Sequence, residues 1–391
     1  MKPRIGAIMQ PEVWEAFSRA CESLDCDAVL LLDAPGGGAV SQRFEGIDAV
    51  VIEISEEKAV IDAAQKAHAA LLPMAGLAVD DHTHSPSVAG LCELILTSPE
   101  DLRVWVKEIS APEAQREKGS LTVIFGANGA PGRTTLALSL AKELSQRSRK
   151  VVVIDADHSA PSLAFLAGMS GETGGIQTAL RSARVEGADI RTLLAPMARV
   201  EESGSSYRLL SGGVMTPGGT VFEPRALKSL LSCLVEAGFQ CVIDTAAISA
   251  GDTHHVLEIV TPLAHRLVGV SHPSDLGITR FIRSWTAVES LSPTDTPRIL
   301  VRSPSEGMPT SRDAVRHTLW EYTACEAIDF LDNPEGSSAT ATGAVEGLVA
   351  FRTLADEIVG KPDRRGVIGP QKSLAPQKPP RRLLQRLGGS G

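Results

Sequence analysis

The sequence predicts an α/β protein in two parts: a doubly wound parallel sheet, preceded by a smaller flavodoxin-like α/β domain. Three observations predict it. Short apolar runs, among them residues 121–125, 151–154 and 241–243, are nearly unbroken, as strands are when helices cover both faces of a parallel sheet. Two of these runs end in acids, Asp155 and Asp157 after one and Asp244 after the other. The C-terminal ends of parallel strands are where such sheets bind ligands. A glycine-rich stretch, residues 126–135, joins the first run to a helical pattern at residues 136–144.

Residues 1–110 alternate strand and helix. Strands are predicted at residues 4–9, 28–33, 49–55, 77–80 and 94–97, and helices at 11–24, 56–70 and 99–109. Pro99 suits a first helical turn. Five strands in this rhythm give a flavodoxin-type sheet, as in receiver domains. A working receiver needs magnesium-binding carboxylates after its first strand, a phospho-accepting Asp after its third and a lysine after its fifth. Those places hold Met9 and Gln10, then Glu53 or Ser55, then Ser98. Without the carboxylates that hold magnesium, the expectation is a pseudo-receiver used for docking or dimerisation, with an unrelated small α/β domain as the alternative. Residues 111–120 form a polar linker before a second domain at 121–360.

The stretch Gly126-Ala127-Asn128-Gly129-Ala130-Pro131-Gly132-Arg133-Thr134-Thr135 has the layout of a phosphate-binding P-loop. Glycines let the backbone turn tightly and aim its N–H groups at anionic oxygens. The helix that follows adds the partial positive charge of its N-terminus. A hydroxyl at Thr134 is placed to hold the magnesium ion that accompanies a nucleotide. The pattern G-x-x-x-x-G-K-[ST] is incomplete, because Ala127 stands for its first glycine and Arg133 for its lysine. The plainer alternative is a glycine-rich turn between strand and helix. Further strands are read at residues 267–271 and 299–301, turn-rich loops at 171–175 and 201–206, and a last helix at 343–358.

These residues resemble the MinD/ParA family of P-loop ATPases, and particularly its CpaE/TadZ-like branch, which carries a receiver-like N-terminal domain. The family's K-G-G-x-G-K-T-T is matched by Asn128, Gly129, Ala130, Pro131, Gly132, Arg133, Thr134 and Thr135. Its D-x-D is matched by Asp155 and Asp157, and its Walker-B pair by Asp244 and Thr245. The likeness spans roughly residues 120 to 360, and residues 209–215 resemble the strand that leads toward Walker B. It implies ATP and Mg2+ as cofactors, with residues 127–135 around the phosphates. Magnesium would be held by Thr134, Asp155 and Asp244, partly through water. Asp157 would position the attacking water, with Arg133 and Asp244 completing the catalytic set. It implies a homodimer and protein partners of division, partitioning or pilus and secretion machinery. Both family lysines are replaced. Asn128 lacks the charge that reaches a partner's nucleotide, and Arg133 keeps charge in a larger planar fork. Turnover is therefore expected to be weak or lost. Arg302 follows the strand at 299–301, where the family has an asparagine that reads adenine.

Composition limits the alternatives. The 391 residues carry a net charge of −9 and 4% aromatics, which argue against general nucleic-acid binding by the globular body. The six cysteines form no C-x-x-C pair and read as buried free thiols in a reducing cytoplasm. No apolar run reaches membrane-spanning length, and Met1-Lys-Pro-Arg does not begin a signal peptide. His82, His84, His254 and His255 lack a third ligand at a telling spacing. Residues 361–391 hold eight Lys and Arg against the one acid Asp363, and read as a disordered tail. Its end places Leu383, Leu384 and Leu387 on one face beside Arg382 and Arg386, a small patch for anionic membrane. A solvated basic tail, or one that touches DNA, remains the alternative. The functional expectation is an ATP-dependent positioning ATPase, cytoplasmic and peripheral at the inner membrane face. The alternative is a P-loop scaffold that recruits partners without turnover.

Overall fold

In a computed structural model, the residues described are 2–31, 44, 46–54, 58–69, 72–78, 88, 91–92, 94–110, 118–127, 132–147, 150–169, 175–185, 189–202, 205–213, 222–247, 255–291, 298–302, 311–331 and 349–359. The chain divides into two compact units that meet in sequence between Glu117 and Lys118.

The first unit is a five-stranded, fully parallel sheet: β1 (Arg4–Ile8), β2 (Asp27–Leu30), β3 (Ala49–Glu53), β4 (Met74–Leu77) and β5 (Leu94–Leu96). Its order is β2-β1-β3-β4-β5, the flavodoxin-type order. Alternate side chains feed opposite faces, as strand geometry requires. Ile5, Ala7, Ala49 and Val51 pack with Phe17 and Val13 of α1 (Pro11–Ser23) and with Leu102 and Trp105 of a helix at Pro99–Ser110. Ile8, Val50 and Ile52 pack with Val60, Ala64 and Ala67 of α2 (Lys58–Ala69). Helix α1 ends in a Schellman-type turn: Asp25 takes a positive φ of 57°, and the Cys26 N–H donates to the Cys21 carbonyl at 3.1 Å. Cys21 and Cys26 meet there as small buried groups. The third helix, α3 (Pro99–Ser110), is held by a reciprocal cap. Asp101 Oδ2 accepts the Thr97 and Ser98 N–H groups, and Ser98 Oγ accepts the Asp101 N–H. The fourth strand lies three residues earlier than the sequence predicts. A Cβ at Gly76 would meet Ile95 and Ile54, so this glycine marks close packing inside a strand and not its border.

The second unit is an eight-stranded sheet in the order β13-β12-β11-β6-β10-β7-β9-β8. Its strands are β6 (Ser120–Gly126), β7 (Val151–Ala156), β8 (Ala198–Glu202), β9 (Ser205–Leu210), β10 (Gln240–Thr245), β11 (Arg266–Ser271), β12 (Arg298–Arg302) and β13 (Ile328–Leu331). Every pairing is parallel except β8 with β9. Between β6 and β7 runs α4 (Arg133–Ser145), whose residues from Leu136 to Leu144 are all buried. The short helices α5 (Leu163–Leu166), α6 (Gly175–Ala183) and α7 (Ile190–Leu194) follow β7. Then come α8 (Pro224–Glu236), α9 (His255–Val260), α10 (Asp275–Glu289), α11 (Arg312–Thr323) and α12 (Val349–Val359). One sheet face buries Leu121, Val123 and Phe125 against α6 to α11, and the other buries Ile124, Val151 and Val153 against α4 and α12. Arg147 ties those two helices together, donating to Glu143 Oε2 at 2.9 Å and Asp356 Oδ1 at 2.7 Å. Gly119 precedes β6 where an added Cβ would overlap the Phe239 carbonyl.

The loop expected at residues 201–206 needs correction. Of that span, Glu201 and Glu202 belong to β8 and Ser205 and Ser206 to β9. Glu202 pairs with Ser205, and Val200 pairs with buried Tyr207. Strands β8 and β13 escaped the sequence reading because charges interrupt their apolar pattern (Arg199, Glu201, Asp329). The last helix is described from Val349, and residues 343–348 of the predicted span lie outside the described residues. So do the linker at 111–117 and the tail at 361–391.

Candidate functional site

The three strands β6, β10 and β7 lie side by side, and their register brings the site together. Asp244 is the lateral partner of Ile124 on one side and of Asp155 on the other. All three strands point the same way, so the loop after β6 and the acids of β7 and β10 share one edge. Gly132 enters α4 at a φ of 105°, left-handed backbone that favours glycine, and so presents Arg133 and Thr134 in the first helical turn. Of the predicted phosphate-binding residues, Ala127, Gly132, Arg133, Thr134 and Thr135 are described. Asn128, Gly129, Ala130 and Pro131 lie outside the described residues.

Arg133 folds back over its own loop. Nη1 donates to the Gly126 carbonyl at 3.3 Å and the Ala127 carbonyl at 3.2 Å, and Nη2 lies 3.7 Å from Asp157 Oδ2. The two side chains are only 13% and 11% exposed, so the pair is largely shielded from screening. Arg133 Nε is buried without a hydrogen-bond partner among the described residues. A lysine has no planar fork with which to grip two neighbouring carbonyls in this way.

The two acids after β7 hold the chain that follows them. Asp155 Oδ2 accepts the N–H groups of Ser162 at 2.9 Å and Leu163 at 3.0 Å, and Oδ1 accepts that of Asp157 at 3.2 Å. It thereby anchors the start of α5. Asp157 Oδ1 accepts the N–H groups of Ser159 and Ala160, both at 3.0 Å, in a tight turn. Burial pushes the Asp155 carboxyl up to about 6, against the pull of the Leu163 and Asp157 N–H donors.

Asp244 is different. It is 1% exposed, and Oδ1 has no hydrogen-bond partner among the described residues. Burial pushes its carboxyl up to about 7; the Thr134 hydroxyl and the Arg133 charge act the other way, while Asp155 and Asp157 add repulsion. Thr245 donates to the Ile124 carbonyl at 2.8 Å and so ties β10 to β6 below the site. Thr134 Oγ1 lies 3.4 Å from Ser162 Oγ. Ser162 is a residue that the sequence reading missed. It sits seven positions beyond Asp155 in a segment without a motif, and only the fold of the turn returns it to the P-loop helix.

The structure thus gathers Arg133, Thr134, Asp155, Asp157 and Asp244 at one place. The arrangement suits a magnesium–nucleotide: a cation-bearing helix N-terminus, a hydroxyl, and a buried carboxylate in need of a positive partner. Among the described residues no three His, Cys, Asp or Glu side chains converge as metal ligands. A metal here would draw on hydroxyls, water and phosphate oxygens, which is chemistry for Mg2+ rather than for zinc.

No protein-family model matches the chain, and no curated protein matches it. Solved structures with a similar fold include the cell division ATPase MinD of Pyrococcus furiosus, at 18% identity and a TM-score of 0.46, covering 61% of this chain and 98% of that one. A ParA family ATPase from Chlorobium tepidum matches at 15% identity and 0.46, over 58% and 88% of the two chains. The ATP complex of Cyanothece McdA matches at 21% identity and 0.45, over 63% and 98%. These likenesses are loose, and the reading of the site rests on the residues of this chain.

Proposed function

We propose that this chain binds ATP with Mg2+ at the β6–α4 loop and acts as a nucleotide-dependent positioning ATPase of the MinD/ParA type. The observation that carries the nucleotide reading is the buried, unpartnered Asp244 oxygen beside the Thr134 hydroxyl at the mouth of a P-loop-like turn. Magnesium, when bound, shields phosphate charge and orients its oxygens. The chain's own residues divide the remaining work. Thr134 and Asp244 hold the ion, Arg133 neutralises phosphate charge, and Asp157 orients a water for in-line attack.

A second reading, a scaffold with little or no turnover, is favoured by one specific observation. Arg133 is already engaged with Gly126, Ala127 and Asp157. It must leave those partners before it reaches a phosphate, and Asp157 must be free before it orients water. Partner recruitment would then fall to the first unit, read as a pseudo-receiver. A homodimer, partners in division, partitioning or pilus machinery, and weak attachment of the basic tail to the inner membrane face belong to the same proposal.

Calorimetric titration with ATP and magnesium tests the first reading. Binding is expected, and Arg133→Ala should weaken it 10- to 100-fold, as befits the loss of a charge-assisted hydrogen bond of roughly 1.5–3 kcal/mol. No heat and no thermal stabilisation at millimolar nucleotide rejects the nucleotide reading. If ATP binds but wild type releases no phosphate, the scaffold reading stands; turnover that Asp157→Ala leaves unchanged removes Asp157 from the catalytic set.

A further inference from the structure

We propose that Ser162 is a ligand of the magnesium ion, cis to Thr134, and that Asp155 is the clamp that puts it there rather than a member of the metal shell. The proposal rests on the nucleotide reading above and changes its ligand set. Both Asp155 oxygens are spent on backbone N–H groups of residues 157, 162 and 163. A Cβ at Gly212 would meet Asp155 Cγ at 2.9 Å, so the carboxylate is also walled in from that side. Turning Oδ2 to a metal would strip the start of α5 of its anchor, and turning Oδ1 would leave the Asp157 N–H without its acceptor.

Ser162 has the opposite character. Its backbone is fixed by Asp155, and its hydroxyl is turned toward Thr134, with Oγ 3.4 Å from Thr134 Oγ1. Two oxygens at 2.0–2.1 Å from an octahedral magnesium, at right angles to each other, lie about 2.9 Å apart. The observed pair needs to close by about half an ångström. The Thr134 hydroxyl also favours the charged form of Asp244, whose Oδ1 is buried with no hydrogen-bond partner among the described residues. Three groups on three elements, α4, the turn before α5 and β10, thus converge on one small space. A cation there would satisfy the orphaned carboxylate oxygen, directly or through water. Nucleotide phosphate and water would supply the remaining positions, as magnesium sites ordinarily require.

Metal exchange at the serine tests the idea. ATP affinity is measured for the full chain by calorimetry, once with magnesium, once with cadmium and once with chelator. Wild type is expected to bind ATP more tightly with magnesium than with chelator. Ser162→Ala keeps the N–H that Asp155 holds, so the turn persists. It should lose about tenfold of the magnesium effect while its affinity in chelator is unchanged. Ser162→Cys should lose the magnesium effect and gain a cadmium effect beyond that of wild type, because a thiolate prefers a softer ion. A residue that merely shapes the loop gives no such exchange. An unaltered magnesium effect in both variants overturns the proposal, as does its collapse in Asp155→Asn with Ser162→Ala unaffected. If wild type binds no ATP under any condition, the nucleotide reading fails, and Mn2+ binding to the apo chain, read by electron paramagnetic resonance, decides. Weaker Mn2+ binding in Ser162→Ala then upholds the ligand assignment. Equal binding, or none in wild type, ends it.

Discussion

A carboxyl group buried away from water holds its proton longer than an exposed one. Asp244 is in that position, raised to about 7 chiefly by burial, and Asp155 follows at about 6 for the same reason. The ordinary value for such a group is 3.8. The native state therefore binds more protons than the unfolded chain between about pH 4 and pH 7, and stability must fall as pH rises through that window. Below pH 4 both states are protonated and the contribution is intact; above pH 7 it is lost. With chelator present, Asp244→Asn should abolish much of this slope and melt a few degrees above wild type at pH 8, the two converging near pH 4. Parallel melting curves for wild type and variant across pH 4–8 would show that Asp244 is not the source. Magnesium should reverse the trend for wild type, because the cation selects the deprotonated acid.

At the scale of elements, the parallel core was legible because both its faces are covered. The runs at β6, β7, β10 and β11 carry almost no polar residue, and the sequence reading matched each within a residue or two. The edge strands of the larger sheet, β8 and β13, were not legible. Arg199, Glu201 and Asp329 sit on strands with one open side, where a charge costs little and the apolar signature fades. The site divides in the same way. Arg133, Thr134, Asp157 and Asp244 announce themselves by motif, whereas Ser162 depends on how the Asp155 clamp folds seven residues of chain. One element-scale dependence has no sequence signature at all. The Gly119 N–H donates to the Val235 carbonyl at 2.8 Å, and no Cβ fits against Phe239. Gly119→Ala should push the starts of β6 and β10 apart and destabilise the second unit by roughly 1–3 kcal/mol, in the range of overpacked cores. Denaturant unfolding with a midpoint equal to wild type would show that the strands yield at little cost.

For the whole molecule, the two units invite separate questions. The first has the strand order of a phosphorylatable domain but puts other residues at its strand ends. Met9 is fully buried, the Gln10 N–H donates to Glu53 Oε2 at 2.7 Å, and Ser98 caps α3. Glu53 thus already serves as a hydrogen-bond acceptor for the neighbouring strand end, and the lysine position is a helix cap. Incubation with acetyl phosphate and magnesium should leave residues 1–110 unmodified by mass analysis. A phosphoryl adduct in that range would reverse the pseudo-receiver reading. The two units then share no phosphorylation input, and nucleotide at the second is left as the proposed signal.

The reversal of direction at β8 reaches beyond the site. A sheet of parallel strands is open to extension at its margins, and a newly made chain spends its first moments with those margins bare. Here one margin is closed by a five-residue strand running against its neighbour and carrying Arg199 and Glu201. A second chain that tried to add itself there would have to set its own backbone against those charges. The charged edge guards against pairing with a second chain, and Arg199→Gln with Glu201→Gln should raise light scattering at high protein concentration before it lowers the melting temperature.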